Sequence, residues 1–412
     1  MKLFIDLSLL RHNRNFSLLS LGQFVSFMGT MITGVALPYQ VYQMTHSVLM
    51  IGILSLSQLL PLLVTALLGG ALADRYHRRR LLIITESLLT IGSAVLALNA
   101  FLPSPHIWLL FAVAILMSAV NGLHRPALTS LNQQLLSRND FAAAGSIRAF
   151  TSSTTMIIGP AVGGLIIAHF GLFAAFVADS FSFLISLVAL LLITNIPAPV
   201  AKRDDSVLKS IIEGFRYSLS RQELVGTYVV DFVAMIFGMP IALFPALAPL
   251  YGGVKTLGLF YSAPAVGALC VSFLSGWVKS IKRHGLAVAT AATLWGVAII
   301  FFGLAHYLWH NLWLVLFFLS LAGAFDSVSA IFRGIIWNET VDSNFRGRLA
   351  GIEMISYLSG PKLGDTESGL VAAAFGITAS IISGGVLCVL GVALSCYFLP
   401  KFWSYRSSSK QN

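Results

Sequence analysis

Charged residues are scarce in this chain. Only 10% of its 412 residues are charged, whereas soluble domains carry about 25%. Cysteine is rare as well, and Cys270, Cys388 and Cys396 all lie within apolar runs. They are predicted to be small core residues, because their positions match neither a disulfide framework nor a metal site. The scarcity of charge argues against a water-soluble protein and indicates a membrane protein.

Sequence signatures of catalysis and of nucleotide binding are also absent. The chain contains no HExxH, no GxSxG and no acidic cluster with metal spacing, which argues against a membrane enzyme and a metal site. It contains neither GxxxxGKS nor GxxxxGKT, so it has no P-loop of its own to power transport. No cleavable signal peptide is indicated, because the first apolar run, Phe16–Val41, is too long for one. We expect neither a cofactor nor a bound metal.

Long apolar runs make up most of the chain. It is 57% hydrophobic, with a mean hydropathy of +0.84, and one spanning helix needs about 20 mostly apolar residues. The sequence therefore predicts an all-α polytopic membrane protein with twelve transmembrane helices. The predicted spans are Phe16–Tyr42, Val48–Ala73, Leu81–Leu102, Ile107–Leu131, Phe141–His169, Leu172–Ile193, Leu224–Ala246, Leu257–Val278, Leu286–Ala305, Leu312–Trp337, Leu349–Phe375 and Thr378–Leu399.

The 26 Lys and Arg residues are distributed unequally between the predicted loops. With both termini in the cytoplasm, nearly all loop Lys and Arg residues are cytoplasmic, and only Lys255 lies on the opposite side. Since positively charged loops stay in the cytoplasm, we predict this orientation in a bacterial inner membrane. The net charge of +10 therefore reflects membrane topology and does not indicate a nucleic-acid partner.

The longest polar stretch, residues 195–222, lies midway along the chain. It begins with Pro197 and Pro199 and continues with apolar residues at helical spacing, which predicts an amphipathic helix at the cytoplasmic surface. We interpret it as a linker between two halves. The predicted organisation is an N-terminal six-helix bundle at 1–194, the linker at 195–222, a C-terminal six-helix bundle at 223–400 and a cytoplasmic tail at 401–412.

The two halves repeat each other in sequence. Gly70–Arg80, after the second span, has a weaker counterpart in Gly276–Arg283 after the eighth. Gly159–Gly164 in the fifth span has a counterpart in Gly360–Asp365 in the eleventh. In transporters with parallel repeats, the substrate lies near the middle of the membrane at the repeat interface. A subunit that works with a separate ATPase is the alternative, and this internal repeat argues against it.

These motifs resemble those of the major facilitator superfamily. Gly70–Arg80 is similar to its signature loop, with His77 where glycine is commoner. Gly159–Gly164 resembles the end of the fifth-helix motif of its antiporters, with Thr155 at an upstream glycine position. Shorter stretches resemble bacterial siderophore exporters of the enterobactin-exporter type, and the macrolide-efflux branch is a close relative. Those stretches are Asp6–Leu10, Met44–Ser47, Leu208–Ser210, Gly214–Arg216 and Gly347–Arg348.

The resemblance implies a major facilitator fold of two six-helix parallel pseudo-repeats, and a secondary transporter rather than an enzyme. It further implies export of a small, anionic siderophore-like molecule by alternating access, coupled to protons. Macrolide or multidrug efflux is the alternative, and uptake is a third hypothesis because the direction rests on the resemblance. The expected partners are the small-molecule substrate, protons and the lipid bilayer, and we expect a monomer.

The signature loop predicts a conformational latch. In this latch Asp74 accepts hydrogen bonds from a neighbouring helix N-terminus, while Arg75, Arg78 and Arg79 pair with acids on facing helices. The motif begins at Gly70, and Glu86 in the third span is the predicted partner of the arginines. The alternative is that the arginines only set the topology.

The fifth-span motif combines small residues with a proline. Gly159, Gly163 and Gly164 allow helix backbones to approach closely, and Pro160 bends the span. Plain helix packing and a direct role in switching are the two interpretations of this motif.

Ionisable residues within the predicted spans are functional candidates, because charge inside a membrane is costly. They either form salt bridges between helices, or the cations bind an anionic substrate while an acid carries the coupled proton. The cations are Arg125, Arg148, Arg333 and Lys362, and the acids are Glu86, Asp179, Asp231, Asp326, Glu353, Asp365 and Glu367. The substrate-binding candidates are Arg125, Arg333 and Lys362, and the proton-coupling candidates are Asp231, Asp326, Asp365 and Glu367.

Uncharged side chains complete the predicted substrate pocket. Gln23, Gln40 and Gln58 are candidates because amides within lipid need hydrogen-bond partners. Phe325 is an aromatic candidate for the pocket, and core packing is the alternative interpretation of any single Phe in a chain with 29 of them.

Spacing along the helices also relates the charges to each other. Asp326 and Arg333 are seven residues apart, which is two turns along one helix face. Lys362 and Asp365 are three residues apart and are placed to pair locally.

Overall fold

A computed structural model describes residues 8–194, 213, 215–342 and 345–407. Within these residues the regular secondary structure is helical and no strand occurs. A helix satisfies its backbone hydrogen bonds internally, which is what a segment surrounded by lipid requires. The predicted all-α architecture is therefore confirmed.

The helices are numbered along the chain, and short 3₁₀ turns lie between several of them. They are α1 (Ser8–His12), α2 (Arg14–Thr45), α3 (Val48–Arg75), α4 (Arg78–Phe101), α5 (Ile107–Leu135), α6 (Phe141–Leu192), α7 (Gln222–Phe237), α8 (Phe244–Leu247), α9 (Val254–Phe273), α10 (His284–Leu308), α11 (Leu312–Thr340), α12 (Arg346–Phe375), α13 (Ile377–Phe398) and α14 (Pro400–Trp403).

Ten segments of the described chain are long and apolar enough to cross a membrane. One of them, α6, is 52 residues long and is broken at Gly171, whose φ of 79° and ψ of 178° are not helical. Glycine tolerates this positive φ because it has no Cβ, so α6 consists of two membrane-length arms. Helix α12 has 30 residues and is less apolar because it carries Lys362, Asp365 and Glu367. With this break and α12 included, every predicted span has a helical counterpart in the described residues.

The seventh span differs from the prediction of one continuous helix, Leu224–Ala246. Helix α7 ends at Phe237, and a 3₁₀ turn at Ile241–Leu243 precedes α8. The break occurs at Pro240, because proline has no N–H to donate and disfavours helical geometry in the preceding residue. The Gly238 carbonyl, which follows the last residue of α7, accepts a hydrogen bond from Trp295 Nε1 at 2.9 Å. This carbonyl oxygen therefore has a partner although the helix has ended. The eighth span also ends early, at Phe273 instead of Val278.

The chain forms two compact units. The first comprises Met1–His46, Ser57–Asp204 and Gly252–Ser262, and the second comprises Ser47–Leu56, Asp205–Tyr251 and Ala263–Asn412. These limits differ from two contiguous halves in two places. The first residues of α3 belong to the second unit, and residues 252–262 belong to the first. Most of the predicted linker, 195–222, lies outside the described residues.

In the first unit, α6 packs along α2 and α4. Small residues allow the close approach, since a Cβ atom added at Gly22 would lie 3.2 Å from the Ser186 Cα atom. Leu19, Leu82 and Leu190 form a fully buried cluster beside it. Contacts between small residues are a usual way for membrane helices to pack, because lipid offers no hydrophobic driving force.

In the second unit, α10 packs against both α11 and α13. A Cβ atom added at Gly296 would lie 2.9 Å from the Gly385 carbonyl oxygen, so the α10 and α13 backbones nearly touch. Helix α7 packs against α11, α12 and α13. This arrangement brings charged residues of α11 and α12 towards α7.

The segment that follows α13 packs onto the second unit. Phe402 is fully buried in a cluster that includes Phe332. The Tyr405 hydroxyl donates to Glu339 Oε2 at 2.9 Å, and this bond and the burial raise the pKa of Tyr405 above its ordinary value, with burial the larger cause. The described part of the predicted tail, 401–412, is therefore anchored to the helices.

Candidate functional site

One group of charges surrounds Arg333 on α11 in the second unit. Its Nη1 pairs with the Asp231 carboxylate of α7, and its Nη2 lies 3.8 Å from Asp326 Oδ1. Asp326 and Arg333 lie on one face of α11, because seven residues make two turns. The Arg333 and Asp231 side chains are 14% and 15% exposed, whereas Asp326 is 35% exposed. Asp231 is thus the closer and less exposed partner, and Asp326 is the more accessible acid.

The break in the seventh span lies beside Asp326. A cavity of about 40 Å³ is lined by Gly238, Pro240, Phe244 and Asp326, among other residues. This volume is enough for a water molecule. Irregular backbone at membrane depth occurs in transporters where it lines a cavity. The break therefore leaves a cavity about the size of one water molecule beside Asp326.

A second group of polar contacts surrounds Asp365 on α12. Ser55 Oγ donates to Asp365 Oδ2 at 2.6 Å, and the backbone N–H of Ala242 also donates to this carboxylate. Lys362, three residues earlier on the same helix, interacts with it electrostatically. The Asp365 carboxylate therefore has donors from two other segments of the second unit and a cation from its own helix.

The irregular segment after α7 connects the two groups. Gly238 lines the cavity beside Asp326, and four residues later Ala242 donates to Asp365. Gly364 lets α12 approach the C-terminal end of α7, since a Cβ atom added there would lie 2.5 Å from the Met235 carbonyl oxygen. Five predicted site residues therefore flank the end of α7. They are Asp231, Asp326, Arg333, Lys362 and Asp365.

Two other predicted site residues are not part of these groups. Glu367 is partly buried on α12, and it points to a different side of the helix from Asp365 because two residues correspond to about 200°. Arg125 belongs to α5 in the first unit and is exposed. It forms no salt bridge with another described residue. Arg333 and Lys362 are thus the two predicted substrate cations of the second unit.

The predicted amides have different environments. Gln40 is 2% exposed, and its Oε1 has no hydrogen-bond partner among the described residues. The backbone carbonyl of Gln58 accepts from Ser118 at 2.9 Å. Phe325, which precedes Asp326, is partly buried. Gln23 is instead engaged in a polar network inside the first unit.

That network is centred on Glu86, which is fully buried on α4. Its Oε1 accepts from Gln23 Nε2 at 2.9 Å and from Ser186 Oγ at 2.8 Å, and His124 Nε2 lies 3.7 Å away. The prediction that Glu86 pairs with the loop arginines needs correction here. Glu86 lies eight residues beyond Arg78, about 12 Å along the helix, and its hydrogen bonds are made with α2 and α6.

Asp179 on the second arm of α6 is a further buried acid. Its Oδ2 accepts from Thr33 Oγ1 at 2.6 Å and from Ser93 Oγ at 2.5 Å. The sequence identifies Asp179 as an intramembrane acid but assigns it no role, because its partners are hydroxyl residues that occur throughout the spans. Their proximity follows only from the packing of α2, α4 and α6.

The described part of the signature loop caps a helix. Arg79 donates to the carbonyl oxygens of Leu190 and Leu191 at 2.9 and 2.7 Å. These carbonyls lie at the C-terminal end of α6, where unpaired carbonyl groups and the helix dipole both favour a cation. The side chains of Asp74 and Arg75 are not among those that the structure describes, and the burial of Gly70 is not described either. The latch therefore stays a prediction.

The fifth-span glycine motif lies at close helix contacts within the first unit. A Cβ atom added at Gly159 would lie 2.6 Å from the Met31 Cβ atom, and one at Gly163 would lie 3.1 Å from the Ile32 Cα atom. One at Gly164 would lie 2.9 Å from the Gly258 nitrogen. These distances leave no room for side chains, which favours the packing interpretation for these glycines. Pro160 lies inside α6 between them.

A comparison with protein families identifies the family of this chain. The family model described as transmembrane secretion effector matches residues 7–412. This chain belongs to that family. It is a major facilitator transporter and not an enzyme, as the sequence motifs predict.

Curated relatives cover nearly the whole chain. They include the proteins named enterobactin exporter EntS from Shigella boydii serotype 4 (strain Sb227) and from Citrobacter koseri. Each is 27% identical over 393 residues, which are 95% of this chain and 93% of the relative. Together with the family, these relatives identify the chain as a multi-pass export transporter.

Solved structures share the fold at low sequence identity. A POT family transporter in complex with 5-aminolevulinic acid has a TM-score of 0.76 at 14% identity, covering 95% of this chain and 97% of its own. A bacterial homolog of the human lysosomal transporter Spinster has a TM-score of 0.75 at 15% identity, covering 96% and 98%. These likenesses confirm the major facilitator fold.

Proposed function

We propose that this transporter exports a small anionic, siderophore-like molecule from the cytoplasm by alternating access, driven by protons. The observation that carries the proposal is the match of 95% of the chain to proteins named enterobactin exporters. The partly buried cations of the second unit, Arg333 and Lys362, support it, because guanidinium and ammonium groups bind anionic oxygens.

Arg333 is the proposed anion-binding residue. In the structure its guanidinium is shared between Asp231 and Asp326. An anionic substrate competes with these carboxylates for the same donors, so protonation of an acid leaves the guanidinium free for the substrate. Substrate binding and proton binding are then linked, and by thermodynamic reciprocity each favours the other. Asp326 is the proposed proton acceptor because it is the more exposed acid and lies at the longer distance.

Lys362 and Asp365 are proposed to act as a second pair of the same kind. Asp365 already has hydrogen bonds from Ser55 and Ala242, so it remains satisfied when Lys362 turns to a substrate anion. Glu367 offers a further acid on α12 for the proton. In the first unit, Arg125 is an exposed cation and the buried Oε1 of Gln40 is an acceptor for a phenolic or amide donor.

The remaining parts of the proposal concern topology and switching. The positive-inside distribution supports a bacterial inner-membrane protein with both termini in the cytoplasm, and we propose a monomer. The signature loop is proposed to act as a latch that breaks during alternating access. Gln58 and Phe325 are proposed to line the substrate path in the first and second units, respectively.

Secretion of enterobactin by an iron-starved host lacking its own exporter tests the function. Expression of this chain should restore chelator in the medium and lower the intracellular pool. Arg333→Gln should abolish this rescue, whereas Arg148→Gln, an exposed intramembrane cation outside the proposed site, should retain it. Secretion that does not respond to the wild-type gene contradicts the proposal. In that case, lower macrolide accumulation in the same strains would support the drug-efflux alternative.

A further inference from the structure

Two carboxylates in the first unit have no role in the proposed substrate site. Glu86 on α4 and Asp179 on α6 are both fully buried. Ser186, seven residues after Asp179, donates to Glu86, and Ser93, seven residues after Glu86, donates to Asp179. Seven residues are two helical turns, or about 10 Å. The two antiparallel helices are thus joined by reciprocal serine–carboxylate hydrogen bonds at two depths.

Each carboxylate has one oxygen that is hydrogen-bonded and one that is not. Gln23 and Ser186 donate to Glu86 Oε1, and Thr33 and Ser93 donate to Asp179 Oδ2. The other oxygens, Glu86 Oε2 and Asp179 Oδ1, are buried without a hydrogen-bond partner among the described residues. A buried oxygen without a donor is costly when the group is ionised, whereas a carboxylic acid carries its own hydrogen there.

A glycine provides the space for the free oxygen of Asp179. A Cβ atom added at Gly29 of α2 would lie 2.6 Å from Asp179 Oδ1. This distance is too short for a non-bonded contact, so only glycine leaves room at this position. Ser182 Oγ would lie nearer still to the added atom, so both oxygens pack closely against the α2 backbone at Gly29.

The charges around the two acids are few. Helix α5 contributes His124, whose Nε2 lies 3.7 Å from Glu86 and whose Nδ1 contacts Thr85 at 3.0 Å. Arg125, next in sequence, is exposed and acts electrostatically on His124. Helices α4 and α6 contribute the two acids, which interact electrostatically. The contacts from α2 come from uncharged groups. Among the described residues, neither acid forms a salt bridge with Lys or Arg.

We propose that Glu86 and Asp179 form a proton-binding pair inside the first unit, with the protons held on Glu86 Oε2 and Asp179 Oδ1. The site is separate from the acids around Arg333 and Lys362 in the second unit. Its use in transport rests on the proposed export function, whereas proton binding itself does not. His124 Nε2 lies 3.7 Å from the hydrogen-bonded oxygen, Glu86 Oε1, which is beyond hydrogen-bond distance.

Infrared difference spectroscopy of the purified full chain in lipid tests the proposal without any substrate. Spectra recorded between acidic and alkaline buffer should contain carboxylic-acid C=O bands that shift in D₂O. Glu86→Gln and Asp179→Asn should each remove one component, and the double variant should remove both. Asp140→Asn removes a partly exposed acid outside the membrane segments and should leave them in place. Bands that persist unchanged in the double variant would overturn the proposal.

Milder variants keep the test valid if removal of an acid prevents folding. Ser93→Ala and Ser186→Ala each delete one hydroxyl that donates to a carboxyl group, so each should shift the band of its own acid and not of the other. Band positions that respond to neither variant would exclude these acids as the titrating groups. A positive spectroscopic result without enterobactin export would contradict only the proposed function.

Discussion

The pair of Arg333 and Asp231 offers a direct test of the second-unit site. Arg333→Met removes the cation and leaves a carboxylate that is only 15% exposed. Breaking a buried ion pair by removing one partner costs about 3–5 kcal/mol, because the remaining charge stays desolvated. Asp326 loses the same partner, but it is 35% exposed and adds at most about 1 kcal/mol.

The reciprocal change is expected to be milder. Asp231→Leu leaves Arg333 with Asp326 at 3.8 Å, so part of the electrostatic compensation is retained and the cost should lie near the lower end, about 3 kcal/mol. The double variant replaces the pair by apolar side chains of similar size, which is often neutral in proteins. Its stability should lie within about 1 kcal/mol of the wild type, which corresponds to a coupling energy of about 5 kcal/mol or more.

Thermal unfolding of the wild type, the two single variants and the double variant, all purified in the same detergent, measures this double-mutant cycle. The two single variants should unfold several degrees earlier than the wild type, and the double variant should recover most of the loss. Additive effects of the two substitutions would refute a direct pair. A wild-type unfolding temperature for Arg333→Met would show that the guanidinium is already solvated, and the linked binding of substrate and proton would lose its basis.

Three other substitutions probe the packing around these sites. Phe402→Ala should destabilise the second unit by about 3–5 kcal/mol, because a fully buried aromatic ring is removed; an unchanged unfolding temperature would show that the C-terminal segment is not anchored. Gly29→Ala should lower the unfolding temperature through overlap with Ser182 Oγ and the Asp179 carboxylate, at a cost of about 1–3 kcal/mol, and normal stability would mean that these side chains can move aside. Ser55→Ala should cost about 1.5–3 kcal/mol by removing a donor to the Asp365 carboxylate; an unaffected protein would indicate that this bond is not formed in the membrane.

The helical spans could be predicted from hydropathy because a membrane helix satisfies its own backbone groups. Each run of about 20 apolar residues therefore predicts a spanning helix without information from the rest of the chain. Even α12, which carries Lys362 and Asp365, can be recognised from its length and from the turn-forming residues at its two ends. The exception is α7, where Pro240 breaks a run that remains apolar throughout. Hydropathy does not change at such a break, so it cannot predict one, although the proline can be read directly from the sequence.

Partners of the buried charges could be predicted only where they lie on one helix. The spacing of Asp326 and Arg333 places them on one face, and in the structure Arg333 contacts both Asp326 and Asp231. The contact of Asp231 with Arg333 joins residues of different helices, so no local spacing encodes it. Glu86 illustrates the same limit, since its position near the signature loop suggested arginine partners.

The sequence by itself determined the membrane class, the positions of the spans and the family, because hydropathy and short motifs are local properties. The tertiary structure decided which acids share Arg333, that Ser186 and Ser93 bind Glu86 and Asp179, and that Phe402 is buried. These contacts depend on the rotation and depth of each helix relative to its neighbours. Side-chain packing sets those two quantities, and in lipid small residues such as Gly22 and Gly29 control it.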